Sequence, residues 1–195
     1  MRKFLALLFS FTFITYSFCQ DNEKQAYIRK PAFGISFLFN DYTTAQRIRA
    51  GSLSSVLANK QKAKFKEMDP GIAISYFKGL NNHLDLVSTL AGSFVEYPVG
   101  SDNISRSKFL LEGDVSLNLK LLSEKYWLTP YASVGAGLSK YGVYYGAFIP
   151  VGGGLSLNLF DEAHIFINTQ YRIPVTTATS NYHFFHSIGI AGVLH

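Results

Sequence analysis

Alternation of apolar with small or polar residues is the sequence feature that most constrains the fold of this chain. Between residues 109 and 121 (FLLEGDVSLNLKL), apolar residues take nearly every second position, and their neighbours are charged or small. Successive side chains of a β-strand point to opposite faces of the sheet, so this period of two predicts a strand with one apolar face. The same pattern predicts eight strands, at about residues 32–40, 71–79, 83–96, 108–121, 127–140, 148–160, 163–174 and 182–194.

The predicted connections between these strands alternate in length. Tight turns are expected at residues 79–82, 123–126 and 161–162. Longer connections are expected at residues 41–69, 97–107, 141–147 and 175–181. An even number of strands, with short turns at one rim and long loops at the other, is typical of antiparallel transmembrane barrels.

The distribution of charge indicates which face of the predicted strands points outward. Only 16% of the residues are charged, and residues 127–139, 141–160 and 182–195 contain no Asp, Glu, Lys or Arg. The outer face of a soluble barrel would be about a quarter to a third charged. We therefore predict an all-β fold, an eight-stranded antiparallel up-and-down transmembrane β-barrel. Its apolar face contacts lipid, and its polar face lines a lumen narrow enough for side chains to fill.

Aromatic residues are expected to form the two interfacial belts of such a barrel. If the first strand runs toward the long loops, the larger belt lies at the long-loop rim and contains Phe39, Tyr42, Phe94, Tyr97, Phe109, Tyr141, Tyr144, Tyr145, Phe148, Tyr171, Tyr182 and Phe184. The smaller belt lies at the opposite rim and contains Tyr76, Tyr126, Trp127 and Phe160.

The N-terminus has the features of a secretory signal peptide. A basic start, Met1–Lys3, precedes an uncharged run over residues 4–18, which is short for an uncleaved anchor because a membrane helix needs about 20 residues. Cleavage after Cys19 places small residues before the cut. Acylation of Cys19, the lipoprotein alternative, would place aromatic residues there instead. The expected organisation is a cleaved signal peptide at 1–19, an N-terminal periplasmic segment at 20–30 and an outer-membrane barrel at 31–195.

The predicted inner face of the barrel carries five ionisable residues, Asp85, Glu112, Asp114, Lys120 and Arg172. Ionised groups in a confined interior need partners. We expect the third and fourth strands to pair with Phe94 opposite Leu111. That register sets Asp85 opposite Lys120 as an ion pair near the short-turn rim. Arg172 is expected to reach across the lumen to Glu112 or Asp114, completing a charge network.

No group of residues predicts a catalytic, cofactor-binding or metal site. His183 and His186 are three apart on a strand and point to opposite faces, which excludes joint metal ligation. His183 and Ser187 share a face but lie about 13 Å apart along the strand, beyond hydrogen-bond reach. The glycines at 152–154 are not followed by the Lys-Ser/Thr of a phosphate loop. We therefore expect a protein that is not an enzyme and needs no cofactor.

The first long connection has an unbalanced positive charge and contains no acid between residues 43 and 66. Its apolar residues Ile48, Leu53, Val56 and Leu57 are spaced loosely like one face of a helix. We predict a basic surface that attracts phosphate-bearing glycolipid, the alternative being a merely solvated loop. This surface consists of Arg47, Arg49, Lys60, Lys62, Lys64 and Lys66. The overall net charge of +5 includes two residues of the leader, and the remaining excess is too small to predict nucleic-acid binding.

Several strand sequences resemble a known family, the small eight-stranded outer-membrane barrels of the OmpA and OmpX type in the form common in Bacteroidota. They are KYWLTPYASVGAGLSK (125–140), YYGAFIPVGGGLSLNLFDEA (144–163), QYRIPV (170–175) and YHFFHSIGIAGVL (182–194). The resemblance implies a Gram-negative outer membrane, with both termini in the periplasm. It also implies recognition of the last strand by the outer-membrane assembly machinery. The chain closes on Leu194 and His195 rather than an aromatic residue, and we expect no peptidoglycan-binding domain.

These observations predict a monomeric, porin-like barrel with a structural or surface-interaction role, whose lumen is closed by side chains and whose partners are outer-membrane lipids and glycolipid. A narrow passage for small solutes is the first alternative. An outer-leaflet lipid-modifying enzyme is the second.

Overall fold

Eight antiparallel strands close into a single barrel in a computed structural model of the chain, which describes residues 27–95, 108–160, 162–176 and 180–194. Each strand pairs with its neighbour in sequence, and the first pairs with the last, for example with Ile35 opposite Ile190. The strands are β1 (Ala32–Asp41), β2 (Asp69–Gly79), β3 (Leu84–Val95), β4 (Lys108–Lys120), β5 (Leu128–Tyr141), β6 (Tyr144–Leu159), β7 (Ala163–Pro174) and β8 (His183–Val193). The predicted fold class is confirmed. The predicted signal peptide, residues 1–19, lies outside the described residues, as does the connection at 97–107.

Alternation along the strands separates an apolar exterior from a polar interior. On β4, the side chains of Leu117 and Leu119 are 41% and 54% exposed, whereas those of Ser116 and Lys120 are 2% and 3% exposed. The apolar face therefore points out of the barrel and the polar face points into it. A closed barrel of this kind leaves no strand edge unpaired, which is the condition for a sheet in hydrocarbon.

The first long connection folds into helices above the long-loop rim. Helix α1 (Tyr42–Ala50) begins where the Asp41 side chain accepts a hydrogen bond from the amide of Thr44 at 2.8 Å. Helix α2 (Leu53–Ala58) begins with a capping box between Ser52 and Ser55. A short 3₁₀ helix (Phe65–Glu67) leads into β2. None of the helices in the described part of the chain has the length and hydropathy of a membrane span.

The predicted pairing of β3 with β4 is wrong by two residues. Phe94 lies opposite Phe109 instead of Leu111, and Asp85 lies opposite Asn118 instead of Lys120. A shift of two residues leaves every side chain on the same face, so alternation alone cannot distinguish the two registers. The observed register brings the rings of Phe94 and Phe109 to 5.3 Å in an edge contact, a favourable cross-strand pair.

The long connection predicted at residues 141–147 is also wrong. β5 and β6 pair up to Tyr141 and Tyr144, so only Gly142 and Val143 form the turn. Gly142 has a φ of 60°, a conformation that two-residue hairpins favour and that glycine adopts without strain. The extended β6 also turns Phe148 into the lumen, and Tyr141 points inward as well, so neither belongs to the predicted aromatic belt.

Candidate functional site

An upper charge cluster occupies the lumen toward the long-loop rim, centred on the fully buried Arg172. One terminal nitrogen of its guanidinium donates to Oε2 of Glu112, and the other donates to Oδ1 of Asp114 at 3.0 Å. Nε2 of His183 lies 3.4 Å from the same Glu112 oxygen. The hydroxyl of Ser116 donates to the second Asp114 oxygen at 2.8 Å. One guanidinium therefore joins two carboxylates of β4 to β7 across the interior.

Two aromatic rings pack against this guanidinium. The guanidinium carbon of Arg172 lies 3.8 Å from the ring centre of Phe185 and 4.8 Å from that of Phe148, distances at which a cation is attracted to the ring face. Phe148 has room because Gly137 faces it without a side chain. A Cβ on Gly137 would overlap the Phe148 ring.

A lower charge cluster occupies the lumen near the short-turn rim and contains two cations and two anions. The ammonium of Lys120 lies 2.8 Å from Asp85 and 3.1 Å from Glu124. The guanidinium of Arg29 lies 3.3 Å from Asp85 and 2.8 Å from Glu124. Arg29 also donates to the hydroxyl of Ser156 at 2.7 Å, which ties the segment before β1 to β6.

Arg29 and Glu124 were not among the residues predicted for the lumen. Arg29 falls in the segment that is predicted to precede the barrel, and at residues 27–30 the chain lies across the barrel mouth, where the amide of Gly79 donates to the Arg29 carbonyl at 3.2 Å. A Cβ on Gly79 would lie 2.6 Å from the Arg29 amide nitrogen, so only glycine permits this crossing. The predicted inner face holds three acids and two bases. Because Arg29 and Glu124 add one base and one acid, that imbalance gives no sign of either residue.

Glu124 lies in the turn between β4 and β5, outside the strands. Its burial raises the pKa, but the positive charges of Arg29 and Lys120 outweigh that effect and hold the pKa of Glu124 below its ordinary value of 4.5. Glu124 is therefore ionised at neutral pH and pairs as an anion with Arg29 and Lys120.

Small polar side chains share the lumen at the level of Ser116 and Asn118 with buried rings such as those of Phe77 and Phe166. The hydroxyls of Ser75 and Thr89 lie 3.2 Å apart there. An interior void at this level has a volume of about 20 Å³. Such a void holds about one water molecule.

The predicted basic surface is part of an ordered structure. Arg47 donates to the carbonyl of Gln61 at 2.9 Å, and the guanidinium carbon of Arg49 lies 4.1 Å from the ring centre of Tyr182. These two arginines therefore fix the loop to itself and to the chain just before β8. The remaining cations are exposed on the returning segment, at Lys60, Lys62, Lys64 and Lys66.

The histidines of β8 lie on opposite faces of the wall. His183 faces the lumen, where Tyr42 packs against its ring with 4.6 Å between the ring centres. His186 faces outward, and its Nδ1 lies 3.1 Å from the hydroxyl of Thr169. The alternation that predicted this separation is therefore preserved through β8.

Solved structures with this fold are known, although no family model and no curated protein matches the chain. The outer membrane protein OprG of Pseudomonas aeruginosa matches with a TM-score of 0.58 and 10% identity, over 86% of this chain and 97% of that chain. Neisserial surface protein A matches with a TM-score of 0.52 and 11% identity, over 84% of this chain and 96% of that chain. The N-terminal barrel domain of OprF from Pseudomonas aeruginosa matches with a TM-score of 0.51 and 12% identity, over 87% of this chain and all (100%) of that chain.

The chain has the fold of the small outer-membrane β-barrels. The predicted likeness to barrels of the OmpA and OmpX type is confirmed for the fold. At 10% to 12% identity, the likeness concerns the architecture, and the role of this barrel has to be inferred from its own residues.

Proposed function

We propose that the protein is a monomeric, non-enzymatic barrel of a Gram-negative outer membrane, exported by a signal peptide, with a structural or surface-interaction role. One observation carries this proposal. The exterior is apolar, whereas the charged side chains of the described strand interiors are gathered into two clusters that span the lumen. A protein that works at its surface needs a stable wall and a closed interior. The buried charges of this chain serve both needs, because they link strands to one another and fill the lumen.

The exterior supports placement in a membrane. Outward side chains such as Phe37, Leu138 and Trp127 are 68%, 70% and 71% exposed, and residues like them cover the outside of all eight strands. Continuous apolar surface of this extent is a marker of contact with lipid rather than with water. Export, assembly through the last strand and a monomeric state are further parts of the proposal.

The two charge clusters support a closed lumen. Each links strands on different sides of the barrel, and the small void between them has room for about one water molecule. Eight strands enclose an interior that side chains can fill, so a general diffusion pore does not fit. A narrow solute passage would need a continuous wet path through both clusters.

The conductance of planar lipid bilayers containing the purified barrel tests closure. The unmodified protein should give no stable conductance steps. The matched comparison is a variant with Glu112→Gln, Asp114→Asn and Arg172→Met, which lacks the upper cluster and should pass ions more readily. Stable conductance steps from the unmodified protein would refute closure and favour the small-solute channel.

The basic surface supports a role at the outer rim. Its four exposed lysines outnumber the one neighbouring acid, Glu67, whose side chain accepts a hydrogen bond from the amide of Lys64 at 3.0 Å. Cations beside an anionic leaflet are attracted to it by about 1 kcal/mol each. We expect trypsin applied to intact cells to cleave between residues 43 and 66. Cleavage only after the cells are opened would place the long loops in the periplasm and invert the proposed topology.

A further inference from the structure

An apolar groove of about 510 Å³ lies outside the barrel, between the helices of the first connection and the outer wall of β7 and β8. Ligand-binding pockets typically fall in the range of about 300–1,000 Å³. The helices contribute Ile48, Leu53, Val56 and Leu57, and the strands contribute Ile167 and Ile188. The four helical residues are those whose spacing in the sequence predicted one apolar face.

Hydrogen bonds and ring contacts hold the groove open before anything binds. The hydroxyl of Thr44 accepts from the amide of Ala63 at 2.8 Å, which fastens the returning segment to α1. Arg49 fastens α1 to the chain just before β8 through Tyr182. The groove is therefore a preformed site, and a ligand does not have to order the loop.

The groove is open to the hydrocarbon that surrounds the barrel. Leu57 is 48% exposed, Ile188 is 49% exposed and Phe65 is 76% exposed. Leu57 and Ile188 both line the groove, and Ile190, 50% exposed on the same face of β8, continues the apolar surface beyond it. Because side chains of this kind favour hydrocarbon over water, an acyl chain is the ligand that suits the lining.

Charge at the rim indicates the head group. Lys62 lines the groove, and Lys60, Lys64 and Lys66 are exposed on the same segment. A polar spot on the wall, where Thr169 lies 3.1 Å from His186, suits an ester or hydroxyl oxygen of an amphiphile. Four neighbouring cations match a head group with more than one phosphate better than a head group with a single phosphate.

We propose that the groove binds one acyl chain of a phosphorylated glycolipid of the outer leaflet, with the lysines on its phosphates. This inference rests on the proposed function, because it needs the long loops to face outward. An acyl chain that leaves the bilayer for an apolar groove gains little transfer free energy. Selectivity therefore comes from the head group, and the groove adds shape and van der Waals contact.

The test compares two probes on the full-length barrel in phosphatidylcholine nanodiscs. One probe is bisphosphorylated lipid A, and the other is its fully deacylated bisphosphorylated disaccharide. Ile188→Trp fills the groove, and Ile190→Trp is its matched control. Ile190 is 50% exposed on the same face of the same strand but does not line the groove. Leu57→Trp fills the groove from the opposite side and guards against a folding defect in β8.

Ile188→Trp and Leu57→Trp should each weaken binding of lipid A by about tenfold, because a bulky side chain blocks a shaped apolar pocket. Both variants should bind the deacylated disaccharide like the unmodified barrel, and Ile190→Trp should bind both probes normally. Equal effects of Ile188→Trp and Ile190→Trp on lipid A would overturn the groove assignment. Phosphatidylglycerol, added to the same nanodiscs as a lipid with a single phosphate, should bind more weakly than lipid A; equally tight binding would overturn the assigned lipid class.

Replacing the four lysines by glutamine separates this inference from the proposed basic surface. That variant should bind both probes more weakly, by about fivefold for each lysine that contacts a phosphate. Replacing the same lysines by arginine should preserve binding. Unchanged binding of both probes by the glutamine variant would refute the basic surface. A third outcome is that the glutamine variant binds more weakly while both tryptophan variants bind lipid A normally. That outcome would refute acyl-chain binding in the groove and leave the basic surface standing.

Discussion

Replacing Arg172 by alanine should destabilise the barrel more than any exposed substitution. In the structure this guanidinium is fully buried and is bonded to Glu112 and Asp114, which are 2% and 4% exposed. The variant would leave two carboxylates in a confined interior without their shared cation, beside Ser116 and His183. Removing one partner of a buried ion pair costs about 3 to 5 kcal/mol, and lost contact with two aromatic rings adds about 0.5 to 2 kcal/mol.

The triple variant Glu112→Gln, Asp114→Asn, Arg172→Met should lose less stability than Arg172→Ala alone. Neutral residues of similar volume leave no buried charge without a partner, and such replacements are often close to neutral. If the losses of free energy were additive, the triple variant would be the less stable of the two. An interacting cluster predicts the reverse order, so the comparison distinguishes the two cases.

Equilibrium unfolding in urea, with the barrel in lipid vesicles, measures these free energies. Lys78→Ala, at an exposed position of β2, is the control and should change the free energy of unfolding by less than about 0.5 kcal/mol. If the loss of unfolding free energy in the triple variant equals the sum of the losses in the three single variants, the three charges do not interact, and the upper cluster contributes no coupling energy to stability.

Three further predictions concern other parts of the chain. Because its pKa is lowered, Glu124 contributes stability that is complete above its ordinary value of 4.5 and is lost as the pH falls through its folded value. Glu124→Gln should therefore be less stable near neutral pH and should show a flatter loss of unfolding free energy on acidification. Gly137→Ala should cost about 1 to 3 kcal/mol of unfolding free energy through overlap with an aromatic ring, whereas Gly113→Ala, which has 3.7 Å to its nearest neighbour, should cost almost none. Intact-mass measurement should find a mature chain that begins at Gln20; a diacylglyceryl group on an N-terminal cysteine would contradict the proposed cleavage.

The number and faces of the strands follow from the sequence because alternation is a local property. In β4, the polarity of most residues indicates their face, and Glu112 and Lys120 stand out as inward charges, although the apolar Leu110 is also buried on the inner face. The relative heights of the strands are not local. The shift of β3 against β4 by two residues preserved every face, so only the cross-strand partner of Phe94 distinguishes the true register.

The residues of the candidate site could be predicted where strand alternation determines which face they lie on. They could not be predicted where a segment outside the strands packs back onto the barrel. Arg172 was predicted to be inward, and its reach to two carboxylates follows from the narrow lumen. Arg29 could not be placed, because no periodic pattern describes a segment that crosses the barrel mouth. The spacing of Val56 and its apolar neighbours predicts the helical side of the groove. Nothing in the sequence indicates that β8 forms the opposite wall.

The most direct test of the central claim is the location of one pair of adjacent side chains on β5. Val134 is 53% exposed on the outside, whereas Ser133 is 5% exposed and faces the lumen. A spin label on Val134→Cys in a lipid bilayer should collide readily with dissolved oxygen and rarely with a water-soluble nickel complex. A label on Ser133→Cys should be strongly immobilised and protected from both reagents. A Val134 label that prefers the nickel complex would place the apolar face in water and contradict a membrane barrel with a filled lumen.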